Sequence, residues 1–370
     1  MLIAACANVV RHPGMSLEAD TYLGKAVNII KTNALNRQNV DWDNATEDIF
    51  AHARHAQKPV ETYKAIRYAL QKLGDHHSFL LLKPEQIDEE RALSNNFEAP
   101  TTSSSARTGS TGSSAIEPVK ASSIGSTLYR SKLDSKFKQR YQPGTKIIER
   151  GRTKIGLLEV PRYWGTSNTA TAKTFAQLIQ DNIKDLHDQQ VQGWIVDLRG
   201  NTGGNMWPML AGVGPLLGAE RIGMFKDSHN KTIWHYRNGA AGVSYGGGPA
   251  RLMVNLPGEC VTLSGRFPVA VLIDNDTVSS GEAVTVAFKG RPDTKFFGRH
   301  TCGLSTANSG IPLPDGAIIE LTVSVDGDRD GNLYDSGIAP DVEIKESESG
   351  EADIQAAADW IERWSPSAKI

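Results

Sequence analysis

The sequence predicts an α/β fold built on a parallel sheet with helical crossovers, and three observations carry that prediction. Residues 154–160, 194–198 and 269–273 are short, mainly apolar stretches, the last of them an unbroken run of the kind that a strand buried on both faces needs. Each run is followed by a stretch with helical spacing. Each junction is marked by polar or glycine residues rather than by a hairpin turn. Strand and helix in alternation argue for parallel strands, and in such sheets the chemistry sits beyond the carboxyl ends of the strands.

The elements follow in order. Over 16–35 the apolar positions Leu23, Ala26, Val27 and Ile30 recur at helical spacing behind Ser16, a suitable N-cap. A second helix is expected from about Thr62, where Ile66, Ala69, Leu70 and Leu73 form one stripe and Gly74 supplies the stop. Directly after that stop stand Asp75, His76, His77 and Ser78, then the apolar Phe79 to Leu82. Residues 16–83 thus read as a small helical domain. From 84 to 144 the pattern dissolves, and 101–115 is almost wholly Thr, Ser, Gly, Ala and Arg, which cannot bury enough apolar area to offset its ordering entropy. That interval is expected to be a flexible linker.

The core is expected over 145–350. After its first strand comes a helix over 170–186 carrying Phe175, Leu178, Ile179, Ile183 and Leu186. The strand 194–198 leads through Arg199, Gly200, Asn201, Thr202, Gly203 and Gly204 into a helix with Met209, Leu210, Val213 and Leu216. The strand 269–273 leads through Asp274, Asn275 and Asp276 to Ser279, Ser280 and an apolar helix. A further strand is expected over 318–325 and a last amphipathic helix, 352–364, on the outside. Residues 1–15 read as a tail or the remnant of a signal.

Composition sets the limits. With 370 residues, 39% hydrophobic and 22% charged, the chain is globular, which excludes a disordered or fibrous protein. A net charge of -2 with interspersed signs gives no footprint for nucleic acid or an anionic membrane. No run approaches the ~20 apolar residues of a membrane span. Cys6, Cys260 and Cys302 make no disulfide framework or metal knuckle, although Cys260 and Cys302 could pair in an oxidising compartment; two isolated thiols is the plainer reading. The opening residues up to Cys6 look like the end of a lipoprotein signal without its basic start and apolar region. Either the start lies upstream and the protein belongs to the cell envelope or periplasm, or the likeness is chance and the chain is cytoplasmic.

The chemistry is concentrated at the strand-to-helix loops. A serine at a helix start can attack a carbonyl and have its oxyanion met by the following amide, although an N-cap role alone also suits serine. Glycines such as Gly203 and Gly204 let backbone amides approach a ligand closely, and neither the phosphate-binding lysine loop nor the dinucleotide glycine pattern is present. Residues 326–331 place Asp326, Asp328 and Asp330 at the first, third and fifth positions of a calcium loop, but Gly337 stands where the bidentate glutamate belongs, so a solvated turn is the better account. No metal and no cofactor is expected.

Four signatures in order, LGDHHS at 73–78, DLRGNTGG at 197–204, TVSSGE at 277–282 and GIAPD at 337–341, make the chain resemble the C-terminal-processing, or tail-specific, serine peptidases. The resemblance implies a crotonase-like β/α core, Ser279 as nucleophile, Ser280 as one oxyanion amide and Gly203 or Gly204 as the other. Where many members carry a lysine base, this chain has Leu304, which excludes a Ser/Lys dyad. The branch resembling the tricorn core protease takes a histidine and a carboxylate instead, which implies His77 as base and Asp335 to orient it, with His76 and His300 as rival bases. Asp335 stands where that branch often has glutamate, and it has a plain reading as a turn residue.

The resemblance therefore implies a serine endopeptidase acting on a peptide or protein, with activity rising between about pH 6 and about pH 7 for an unperturbed imidazole. Many relatives carry a PDZ domain between the front helices and the core, and here that interval is too poor in apolar residues to be one. Two other classes stand beside this one: an inactive ligand-binding homologue of the retinoid-binding kind, and acyl-CoA chemistry sharing the paired-amide oxyanion hole. Oligomeric state is not legible from the sequence.

Overall fold

The structure is a computed structural model that describes residues 11–96, 142–218, 220–258, 260–345 and 350–364. Its helices are α1 (Leu17–Asn33), α2 (Trp42–Ala51), α3 (Tyr63–Gln71), α4 (Pro84–Asn96), α5 (Ala170–Asp188), α6 (Met206–Leu217), α7 (Ser280–Phe288) and α8 (Glu351–Glu362). Its strands are β1 (Phe79–Leu81), β2 (Gly144–Arg150), β3 (Thr153–Glu159), β4 (Gly193–Asp197), β5 (Arg221–Lys226), β6 (Lys231–Arg237), β7 (Ala240–Tyr245), β8 (Arg251–Asn255), β9 (Val269–Ile273), β10 (Thr294–Gly298), β11 (Thr306–Pro312), β12 (Ile318–Gly327) and β13 (Val342–Glu343). The chain divides into two compact units, Met1–Ser131 with Asn308–Val323, and Lys132–Ala307 with Ser324–Ile370.

The first unit is helical with a short sheet. Ser16 caps α1 by accepting the Ala19 N–H at 3.1 Å, and Gly74 ends the segment after α3 with φ +68°, both where the sequence places them. The α1 stripe of Leu23, Ala26, Val27 and Ile30 packs with Ile49, Ile66, Ala69 and Leu70. Leu313, Ala317, Ile319 and Leu321 complete that core. β1 pairs antiparallel with Ile318 to Glu320 of β12. Asp315, in the turn before β12, accepts the hydroxyls of Tyr22 at 2.7 Å and Tyr63 at 2.5 Å.

The linker expected from residue 84 begins instead with α4. This helix shows little apolar stripe because much of what holds it is polar. Arg67 of α3 grips the Glu90 carboxylate through both guanidinium nitrogens, and Gln86 accepts the Lys83 N–H at 2.9 Å. Periodicity of apolar residues cannot detect a helix secured in that way. The Ser/Thr/Gly-rich tract and Cys6 lie outside the described residues.

The second unit holds a six-stranded sheet in the order β13-β10-β9-β4-β3-β2. β3, β4, β9, β10 and β13 run parallel and only β2 is antiparallel, as strand and helix alternation requires. One face, with Leu158, Val196, Val271 and Ile273, packs under α5, α6 and α7. The other, with Leu157, Ile195, Ala270 and Leu272, is covered by Ile354, Ala357, Ala358 and Ile361 of α8. The last helix is therefore a layer of the fold and not an external addition. It is fastened by Arg199, which is buried, pairs through two nitrogens with Asp197 at 2.8 Å each, and donates to Asp353 at 2.7 Å.

Residues 221–255 form an antiparallel meander, β5 to β8, for which the sequence reading predicts no elements. β6 and β8 are largely exposed or half-buried and carry polar residues, and β5 and β7 are short and broken by glycine, so none shows the continuous apolar run that reveals β9. No helix among the described residues is long and apolar enough to cross a membrane. Cys260 is a free thiol.

Candidate active site

β4 and β9 are adjacent and parallel, so the loops leaving their carboxyl ends lie side by side. Those loops carry Arg199 to Asn205 and Asp274 to Ser279. The second turns sharply. Asp274, buried at the strand end, accepts the N–H groups of Gly200 at 3.1 Å and Asp276 at 3.0 Å, tying the two loops together. Thr277 donates its hydroxyl to the Leu198 carbonyl at 3.0 Å, a second tie.

At the end of this turn Ser279 has φ 53° and ψ -116°, a conformation that a residue with a side chain rarely adopts. It is followed at once by α7, so the serine stands at the N-terminus of a nine-residue helix, where unpaired amides favour developing negative charge. Ser279 and Ser280 are half-buried. The strained corner is held from beneath by Glu282. That buried carboxylate accepts the Ser279 N–H at 2.9 Å, the Thr301 hydroxyl at 2.6 Å, and the N–H groups of Gly303 at 2.9 Å and Leu304 at 2.8 Å. Burial raises its pKa while these donors pull it down. Leu304 is thereby fixed through its main chain to the helix that follows the serine.

The glycine loop lies against this corner. A side chain on Gly203 would stand 3.1 Å from the Ser279 Cβ and 3.0 Å from the Ser280 nitrogen, and Ser280 donates its hydroxyl to the Gly204 carbonyl at 2.8 Å. The sequence left open which of Gly203 and Gly204 could offer a free amide. Gly203 donates its N–H to the Asn201 side chain at 3.0 Å, which leaves the Gly204 and Ser280 amides without a protein acceptor among the described residues. Gly204 has φ +104°, and a Cβ there would meet the Tyr163 carbonyl at 2.1 Å, so the approach needs glycine.

Asn201 organises the loop in a way that sequence reading missed. It is fully buried, donates to the Val160 carbonyl at 2.9 Å, and accepts the Val278 N–H on its own carbonyl at 3.0 Å. That carbonyl sits so close to α7 that a Cβ on Gly281 would be 2.3 Å away. The available signal was a lone amide inside an otherwise glycine-rich loop.

The other expected residues are distributed as follows. Asp335 belongs to the same unit, is exposed, and makes no hydrogen bond or ion pair among the described residues. His300 is also exposed, and its Nδ1 donates to the Thr301 carbonyl at 2.8 Å. His76 and His77 belong to the helical unit. Asp75 accepts the N–H groups of His77 at 3.1 Å and Ser78 at 2.8 Å and the Ser78 hydroxyl at 2.7 Å, while Asn308 donates to the His77 carbonyl at 2.7 Å. His76 takes φ 55° and is exposed, whereas His77 is half-buried. Burial pulls the His77 imidazole down to about 4, against the smaller opposite pull of Asp75. The expectation of an unperturbed imidazole is thus corrected by its surroundings.

Residues 326–331 do not form an open cation loop. Asp326 is buried at the end of β12, and Asp328 spends its carboxylate on the N–H groups of Asp330 at 2.9 Å, Gly331 at 2.8 Å and Asn332 at 2.9 Å and the hydroxyl of Tyr334 at 2.8 Å. Among the described residues no cluster of three or more His, Cys, Asp or Glu is arranged to hold a metal.

A parallel sheet thus carries a strained serine at one strand-to-helix corner and a glycine loop at the next, which places the chain in the α/β class. Residues 154–344, more than half of the chain, match Peptidase family S41, and the chain belongs to that family. It is 33% identical over 208 residues to the nisin-resistance protein of Lactococcus lactis subsp. lactis, covering 55% of this chain and 59% of that protein. It is 27% identical over 178 residues to the carboxy-terminal processing protease CtpA of Bacillus subtilis, covering 48% of this chain and 34% of that one. The chain thus spans less than two thirds of either relative. In fold it is similar to a lipoprotein from Streptococcus agalactiae, with a TM-score of 0.62 and 21% identity over 93% of this chain and 96% of that one. It is also similar to the photosystem II D1 C-terminal processing protease, with a TM-score of 0.54 and 16% identity over 88% of this chain and 92% of that one.

Proposed function

We propose that this chain is a serine endopeptidase in which Ser279 attacks the scissile carbonyl, His77 takes and then returns the proton, and the amides of Ser280 and Gly204 hold the oxyanion. The observation that carries this reading is the Ser279 corner. A serine at φ 53° and ψ -116° on the first turn of a helix is held against its conformational preference by a buried carboxylate. Ser279 is also the N-cap of this helix, but an N-cap ordinarily takes extended angles and needs no such conformation, whereas a nucleophile set on a tight strand-to-helix corner does. The His77 imidazole, lowered to about 4, is neutral at physiological pH and so able to accept a proton. Asp335 as the orienting carboxylate remains part of the proposal, as does a crotonase-like assignment of the core.

The substrate is a peptide. Of the relatives, one is named for resistance to nisin and one for carboxy-terminal processing, and the second name agrees with hydrolysis of a peptide near its end. A cell-envelope location is proposed with it, on the sequence around Cys6. A fluorophosphonate probe tests the assignment. The native chain labels on Ser279, and labelling is lost in Ser279→Ala and slowed in His77→Gln. A native chain that folds but takes no label would instead be a ligand-binding homologue.

A further inference from the structure

Trp164 is the most exposed of the large apolar side chains among the described residues, at 70%, yet its segment is rigid. Residues 162–165 are bonded along their length to the glycine loop. Arg162 donates to the Thr202 hydroxyl at 3.1 Å, the Tyr163 carbonyl accepts the Asn205 N–H at 2.8 Å, and the Gly165 carbonyl accepts from the Asn205 side chain at 2.9 Å. Tyr163 itself is buried, with its ring 4.9 Å from that of Phe175. The Arg162 guanidinium lies 5.6 Å from the centre of the Trp164 ring. An indole is thereby held in solvent on a fixed platform, one residue from the carbonyl that faces Gly204. Rigid aromatic groups exposed next to a reactive site are typical anchors, since little side-chain entropy is lost when they are covered.

We propose that Trp164 forms a subsite for a large apolar or aromatic side chain flanking the scissile bond of the peptide. The assignment rests on the reading of Ser279 and Gly204 as the reacting centre. A carbonyl oxygen directed at the Gly204 N–H brings the neighbouring part of the peptide across the 162–165 segment, which bridges to Gly204 through Tyr163. The Trp164 ring is the apolar surface waiting there. Tyr163, Gly165 and Asn205 then serve to fix the backbone that carries the ring, and Arg162 lies over the ring itself.

The experiment uses a peptide mixture of random sequence, with cut sites read by mass spectrometry, and a small fluorophosphonate as a second readout. The native chain is expected to enrich Leu, Phe and similar residues at one position beside the cut. Trp164→Ala should lower that preference by about tenfold, as loss of one aromatic anchor typically does, and Trp164→Phe should keep most of it. The rate of Ser279 labelling should stay the same in both variants, because the small probe does not reach the subsite. An unaltered cleavage pattern in Trp164→Ala overturns the proposal. So does a uniform loss over all sequences with slower labelling, which would mark Trp164 as a structural support. A native chain that does not label at all fails in a different way: it removes the peptidase reading and this subsite with it.

Discussion

The Glu282 carboxylate accepts the main-chain N–H of Ser279 at 2.9 Å, so the third residue of a helix holds the backbone of the residue that begins it. The same carboxylate takes three more donors from residues 301–304. Glu282→Ala leaves all of these without their acceptor inside the protein. At ~1–3 kcal/mol for each buried donor left unpaired, the variant should lose at least about 3 kcal/mol of stability in urea unfolding. Fluorophosphonate labelling of the folded variant should also slow, because Ser279 relaxes from its strained conformation. Wild-type stability and labelling in Glu282→Ala would show that the corner is held by other means.

The pH dependence of the proposed reaction follows from His77 as its base. A base must be neutral to work, and with its pKa lowered to about 4 this imidazole is neutral above that pH. Peptide hydrolysis should therefore rise through about pH 4 and stay flat from about pH 6 to about pH 8. Stability moves in the same direction. In the unfolded chain the imidazole takes its proton near its ordinary value of 6.5, whereas the folded chain resists it down to about 4. The unfolded state thus binds more protons across that interval, and stability falls as pH drops through it. His77→Gln should flatten the fall, measured as the melting temperature from about pH 7 to about pH 4. A rate profile centred near the ordinary value would place the base in water rather than in a buried setting.

Asp326 is the buried acid with no evident use. It is 1% exposed, its Oδ1 has no partner among the described residues, and burial followed by the charge of Glu282 raises its pKa well above the ordinary value. A raised folded pKa means that stability is full while the group is protonated in both states and is lost as pH climbs. Asp326→Asn, which cannot ionise, should be more stable than the native chain at about pH 8, with the gap closing toward about pH 4. Unfolding in urea at several pH values measures the gap; a constant difference would mean that Asp326 does not titrate in this way.

Arg199 joins β4 to the last helix through Asp197 and Asp353. The pair is buried, and removing one member leaves a charge without its counterpart at a typical cost of ~3–5 kcal/mol. Asp353→Ala should therefore lower stability by about 3 kcal/mol, somewhat less than the full range because Asp197 still satisfies two guanidinium nitrogens. The protease sensitivity of residues 350–364 should rise with it. An unchanged melting curve would leave the helix held by its apolar face alone.

Much of the core, and the loops that carry the candidate site, could be read from the chain itself. The strands around Trp194 and Val271 are continuous apolar runs because both faces are covered, and such runs are visible without coordinates. Ser279, Gly203 and Gly204 were conspicuous because serine and paired glycines are out of place in the middle of apolar strand and helix patterns. The helix Pro84–Asn96 and the meander of residues 221–255 were not legible. One is secured by an Arg67–Glu90 pair, and the strands of the other mix polar, glycine and apolar residues without a continuous apolar run.

What the sequence by itself determined, then, is which chemical groups stand at the ends of which strands, because apolar periodicity and punctuation residues are local properties. Only the tertiary structure decided how those groups are used. It spent the Gly203 amide on Asn201 and left that of Gly204, gave Glu282 four donors from two distant segments, and moved the His77 pKa to about 4. Hydrogen-bond partners and the loss of water around a charge depend on residues far apart in the chain, so no reading of neighbours along the sequence contains them.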